Sequence, residues 1–166
     1  MKKIVMLFLL ILISGCCEVA NSEDSTSNLS ELEQTLSYSI LENFGYRHEL
    51  EDDAVKQIEF DVETGNMKIV VLTYMFEDES YEEFVADTLD SCTNVLQDIK
   101  RQLEVQKVDL IIETPIEDEE GNLDYYGGIF NMVFDRKNLR NTDFHKLNPL
   151  ELSKKANFYF QVPLTE

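Results

Sequence analysis

Cys16 follows Ser14 and Gly15 directly, and Cys17 comes next. Two small residues leave the backbone open to a peptidase, and a cysteine sulfur is nucleophilic enough to become a thioether. Nowhere else do residue types and spacing point to so definite a chemistry. The remaining cysteine, Cys92, falls at helical spacing among apolar residues and reads as a small core residue. The two histidines, His48 and His145, lie in separate segments and in no His-Glu-x-x-His array, so they read as surface or cap residues. The acidic turn 117–124 contains Gly121, but a calcium loop with that glycine in sixth place would begin at Ile116, which cannot ligate. It reads as a solvated hairpin tip. No nucleophile elbow, phosphate-cradling glycine loop or thiol-enzyme flank is present. With 33 carboxylates in the chain, some pair must lie close in space, so a carboxylate-pair hydrolase stays open without a location. Tyr125-Tyr126-Gly127-Gly128 is the least ordinary patch. Glycine inside a strand marks a bulge or the close approach of another backbone. The patch reads as a curved strand making room for a long helix, with a ligand lying across the sheet as the alternative.

Residues 4–13 are an apolar run behind Lys2 and Lys3. A basic start, a short apolar stretch and a small-residue cleavage site make a secretory signal. The run is half of the roughly 20 residues a spanning helix needs. Ile13-Ser14-Gly15-Cys16 resembles the lipobox of bacterial lipoprotein precursors. The resemblance covers residues 1–16 alone. It implies that residues 1–15 are removed as a signal peptide, and that Cys16 is diacylated and becomes the mature N-terminus. The protein is then held at the extracytoplasmic face of the cell membrane. Two acyl chains, at about 0.8 kcal/mol per buried CH₂, give anchoring on the order of 20 kcal/mol. Cys17 could serve a shifted cleavage site, but Ile13 suits cleavage before Cys16. A Cys17–Cys92 disulfide in an oxidising compartment is the lesser alternative, since it would pull the body down to the lipid.

Loss of Lys2 and Lys3 takes the net charge from −19 to −21. So negative a chain lacks the clustered Lys and Arg that nucleic acid requires. It is also expected to stand off anionic lipid rather than lie flat on it. The charge is uneven: residues 16–134 carry −23 and residues 135–166 carry +2. Docking of the C-terminal segment on the acidic body is the simpler explanation, and a polar site between them is the other. Residues 16–28 form the lipidated N-terminus and a tether, whose small polar stretch 18–28 averages roughly 18 Å end to end.

Elements that could position a site are expected in residues 29–166, a single acidic α+β domain. Ser30-Glu31-Leu32-Glu33 has the capping-box spacing and opens a helix whose apolar stripe runs to Phe44. Alternating Ile58, Phe60 and Val62 predict a strand, and Gly65-Asn66 a tight hairpin turn into a central strand over 69–76. Ser80-Tyr81-Glu82-Glu83 is a second capping box, followed by a long helix reaching about Val105, with Leu103 in its apolar stripe. Strands follow over 108–114 and 125–134. Asn148-Pro149 predicts a short third helix, and alternating Phe158, Phe160 and Val162 a last strand. The expected fold is an antiparallel sheet of four to five strands with helices packed on one face, in the order α-ββ-α-ββ-α-β. In element order alone, the helix–strand–strand unit is loosely similar to the small PepSY and BON envelope modules.

The function these features predict is a non-catalytic binding module, tethered outside the cytoplasm, with no cofactor, metal or catalytic residue assigned. Its expected partners are the membrane, through the anchor at Cys16, and a cationic peptide or an envelope protein. An envelope hydrolase with a carboxylate pair and an assembly component of an envelope complex are the alternatives.

Overall fold

Two capping boxes start the two main helices. Ser30 Oγ accepts from the Glu33 backbone N–H at 3.3 Å, while Glu33 Oε2 accepts from the Ser30 N–H at 2.8 Å. Ser80 and Glu83 repeat the pattern at 3.3 and 3.0 Å. Each reciprocal pair satisfies donors that a helix start leaves orphaned. The computed structural model describes residues 30–45, 54–116 and 125–163. Its elements are α1 (Glu31–Phe44), β1 (Val55–Asp61), β2 (Asn66–Leu72), α2 (Tyr81–Arg101), β3 (Lys107–Ile116) and β4 (Tyr125–Asp135). Then come α3 (Arg136–Asn141), a 3-10 helix (Pro149–Lys154) and β5 (Phe158–Gln161).

The α+β class stands as the sequence predicts, but the sheet is mixed, not antiparallel. Five strands lie in the order β1-β2-β3-β4-β5. The hairpins β1/β2 and β3/β4 are antiparallel, and so is β4/β5, whereas β2 and β3 run parallel from Asn66↔Lys107 to Leu72↔Glu113. The cause is α2. Its 21 residues span about 30 Å and carry the chain back to the end of the sheet where β2 began, so β3 starts beside that point.

The element order also gains a member. The segment 136–141, for which the sequence reading names no element, is α3, capped by Asp135 accepting from the Asn138 N–H at 2.8 Å. The expected third helix is a 3-10 turn, started by Asn148 with Pro149 behind it. Helix α2 stops at Arg101, four residues before the expected end, and Leu103 is 72 % exposed instead of joining the stripe. Strand β2 stops at Leu72 rather than 76. That early stop explains how β3 runs on through Pro115: beyond Glu113 the β2 side is vacant, so the missing N–H breaks no ladder bond there.

One core sits between the helices and one face of the sheet. Met67, Ile69 and Val71 of β2, Val108, Leu110 and Ile112 of β3, and Phe130, Met132 and Phe134 of β4 point into it. Leu36, Ile40 and Phe44 of α1 meet them there, with Leu89, Cys92, Leu96 and Ile99 of α2. The two helices are antiparallel neighbours. Ser39 Oγ donates to Asp98 Oδ2 at 2.7 Å, and Ser91 Oγ donates to the Asn43 carbonyl at 3.0 Å.

Candidate functional site

Strand alternation sends every second residue to the other face of the sheet, on which no helix packs among the described residues. Two cross-strand rows traverse it completely. One runs Glu59, Lys68, Asp109, Val133, Phe158. The other runs Gln57, Val70, Ile111, Asn131, Phe160. Both change from polar at β1 to aromatic at β5. Phe158, Phe160 and Val162 are 52, 47 and 37 % exposed. The alternation of the last strand therefore marks the open face, and Tyr159 between the two phenylalanines packs against the core. Burial pushes the Tyr159 hydroxyl up to about 12, with smaller contributions from Cys92 and Tyr81.

The polar end of this face holds a shallow depression of about 240 Å³, lined by Glu59, Asp61, Asn66, Lys68, Lys107 and Asp109 with Met67. Its acids are Glu59, Asp61 and Asp109. Asp61 is committed to the β1–β2 turn, accepting from the Thr64 hydroxyl at 2.6 Å and from the backbone of Glu63 at 2.9 Å. The Thr64 hydroxyl and then those backbone bonds hold its carboxyl below the usual range. Glu83, Asp135, Asp143 and Glu151 are likewise lowered, each by hydrogen bonds first. A general acid needs the opposite shift. Among the described residues, no group of three or more His, Cys, Asp or Glu side chains could hold a metal ion.

Two side chains on the open face are incomplete. Asp109 Oδ1 and Asn131 Oδ1 are shielded from solvent and have no hydrogen-bond partner among the described residues. Asp109 sits opposite Val133 and Asn131 opposite Ile111, so they are diagonal neighbours across β3 and β4. Both atoms are acceptors, and a shielded acceptor without a donor is costly.

Of the residues singled out from sequence, Cys16, Cys17, His48 and the acidic turn 117–124 lie outside the described residues. His145 is exposed in the turn after α3. Cys92 is fully buried, and burial drives its thiol up, as a core residue's would be. Gly127 and Gly128 pair with Thr114 and Glu113, and the register slips so that Ile129 is the extra residue of a bulge. An added Cβ at Gly128 would meet only Ile111 Cγ2 at 4.0 Å, so no backbone crowds this glycine. The bulge bends β4 here, but Gly128 faces Ile111 on the side of the sheet away from the helices, so it makes no room for α2.

The charge asymmetry has a different basis from the ionic docking expected. The segment after β4 is seated by Leu139, Phe144 and Leu152, all buried. Arg136 Nη1 donates to the carbonyls of Lys100 and Gln102 at 3.2 and 2.9 Å, closing the end of α2, and Lys100 Nζ donates to the Thr142 carbonyl at 2.7 Å. The ion pairs in this segment are internal: Lys146 with Asp143 and Lys154 with Glu151.

Sequence reasoning missed Asp109, Asn131 and the outward phenylalanines. The available signal was Phe-Tyr-Phe at 158–160, aromatic on both faces of one strand.

Fold and face together define an α+β protein with a mixed sheet, one face of which carries no helix among the described residues and grades from charged at β1 to aromatic at β5. Comparison of the chain with protein-family models, with curated proteins and with solved structures finds no match.

Proposed function

We propose that this chain is a lipid-anchored protein of the bacterial cell envelope, held outside the cytoplasm through Cys16. Its domain binds a cationic peptide or protein segment across the open face of the sheet. The lipobox spacing supports the anchor, and no helix among the described residues is long and apolar enough to cross a membrane. The observation that carries the binding reading is the pairing of Asp109 and Asn131 with Phe158 and Phe160 on one face. A cationic ligand is attracted to the Asp109 carboxylate, and its apolar side chains cover the two rings. Interfaces favour such aromatic anchors beside desolvated polar contacts. A net charge of −21 attracts cationic partners from a distance.

The test titrates the full-length lipidated protein with a short peptide of alternating Lys and Leu. Binding weakens about tenfold in Asp109→Asn and in Phe160→Ser, and it weakens with added salt. Binding indifferent to both substitutions overturns the assignment of this face. The anchor is read separately from the mass of the N-terminal peptide, where an intact Met1 or an unmodified Cys16 sulfur overturns it.

A further inference from the structure

We propose that β5 pairs edge to edge with β5 of a second copy of this chain, joining two five-stranded sheets into one of ten strands. The pairing does not depend on the peptide-binding reading. The second copy lies beside the Phe158 and Phe160 rings, in the plane of the sheet, whereas a peptide lies over them.

The two edges of the sheet are built differently. Strand order leaves β1 and β5 outermost, each with a neighbour on one side only. Strand β1 carries Lys56, Glu59 and Asp61, and its register with β2 slips between Val55 and Gln57. Charges and a bulge are what keep an open edge from recruiting another strand. Strand β5 has neither. Phe158-Tyr159-Phe160-Gln161 is uncharged, rich in the aromatic residues that favour strands, and in unbroken register with β4. Among the described residues, no strand pairs with its outer side.

That outer side is complementary to itself. The Val162 N–H donates to the Ile129 carbonyl at 3.0 Å. By alternation the backbone groups of Phe158 and Phe160 face β4, and those of Tyr159 and Gln161 face outward. A two-fold axis beside Phe160 sets Tyr159 of each copy opposite Gln161 of the other, so all the outward N–H and C=O groups of both strands are paired. The neighbouring registers fail. One sets Tyr159 opposite Pro163, which has no N–H. The other sets Gln161 opposite Asn157, whose N–H is already given to the Val133 carbonyl at 2.8 Å.

In the symmetric register Phe160 faces its own counterpart as a non-hydrogen-bonded pair, with Cα atoms about 4.5 Å apart, and Phe158 faces Val162. The three apolar side chains exposed at this edge thus meet each other across the axis. Such an axis stands perpendicular to the sheet, so the interface is isologous and both helix layers lie on one side. The joined open face is polar at its two outer edges and aromatic in the middle.

Like charge opposes this contact, since each copy carries −21. A pair of short strands is also a small interface, weak between dilute free chains. Confinement of anchored copies to one surface raises their effective concentration, and this point alone rests on the lipid anchor.

The test uses the full-length lipidated protein in phosphatidylcholine vesicles, without peptide and with Cys17→Ser, which leaves buried Cys92 as the one native free thiol. Under mild oxidation Phe160→Cys forms a disulfide-linked dimer, because the paired Cα atoms lie within the span of an S–S bridge. Val62→Cys, 82 % exposed just beyond β1, links several-fold less. Linkage at residue 160 increases toward about 0.5 M salt as repulsion is screened, the reverse of cationic-peptide binding. Adding Gln161→Pro, which removes an outward N–H and no ladder bond to β4, abolishes the link with an unchanged circular dichroism spectrum. No link at residue 160, or equal linkage at 160 and 62, overturns the pairing. Peptide binding, read separately on Asp109→Asn, is untouched by that result, and the mass of the N-terminal peptide in the same sample reports the anchor.

Discussion

The carbonyl of Gly65 accepts from the backbone N–H of Gln106 at 2.8 Å, tying the β1–β2 turn to the connection between α2 and β3. Gly65 holds φ at +69°, and a Cβ there would stand 2.6 Å from the Glu104 carbonyl oxygen and 2.7 Å from Gln106 Cγ. Left-handed backbone and backbone crowding both exclude a side chain. Gly65→Ala is expected to cost about 2 kcal/mol or more, read from urea unfolding. Gly128→Ala, with its nearest neighbour at 4.0 Å, changes stability by less than about 1 kcal/mol. Equal costs at the two positions would refute this distinction.

Glu83 makes α2 sensitive to acid. Hydrogen bonds from Ser80, first its hydroxyl and then its backbone N–H, lower the Glu83 carboxyl from the usual 4.5. A carboxyl lowered in the folded state contributes stability above its unfolded pKa, and that contribution fades as pH falls through the folded value. Glu83→Gln keeps a capping-box side chain but cannot titrate. The difference in melting temperature between wild type and variant is expected to be constant near neutral pH and to shrink below about pH 4.5. A difference independent of pH down to 3 would remove Glu83 from the acid response.

Cys92 is expected to resist alkylation until the protein unfolds. It is fully buried and its thiol is raised by that burial, so the reactive thiolate is scarce and unreachable. Peptide mapping after iodoacetamide treatment, with and without denaturant, separates this thiol from that of Cys17. Labelling of Cys92 in the native protein would contradict the burial.

Arg136 closes α2 from outside the helix. Arg136→Gln removes the two bonds to Lys100 and Gln102 carbonyls and is expected to destabilise by about 1–2 kcal/mol in denaturant unfolding. No loss of stability would mean that water replaces the guanidinium there without cost.

Strand β5 gives the sharpest contrast between neighbours. Tyr159→Ala opens the core and is expected to cost about 3 kcal/mol. Phe160→Ala, next to it and 47 % exposed, costs less than about 1 kcal/mol. The reverse ranking, measured by thermal or urea unfolding, would place the phenylalanines inside.

Much of the framework was legible locally. Ser30 with Glu33 and Ser80 with Glu83 marked both helix starts, because a capping box is a relation between residues three apart. Ile58 with Phe60 marked β1 by period two. The turn before Asn66 was found but drawn too tight: Gly65 alone takes positive φ, and Asn66 already belongs to β2. The chain from Arg136 to Asn141 hid its helix because only Leu139 in it is buried, too little to show a period.

By itself the amino-acid order determined the short-range matters: where helices begin, which stretches alternate, which thiol sits among apolar neighbours. Folding in three dimensions alone decided that β3 lies parallel to β2, that Phe158 and Phe160 point away from the core, and that Arg136 meets the last carbonyls of α2. Caps and periodicities act within one turn or one strand. The direction of a returning strand, the side of a sheet that helices cover and the company a charge keeps depend on elements brought together from distant parts of the chain.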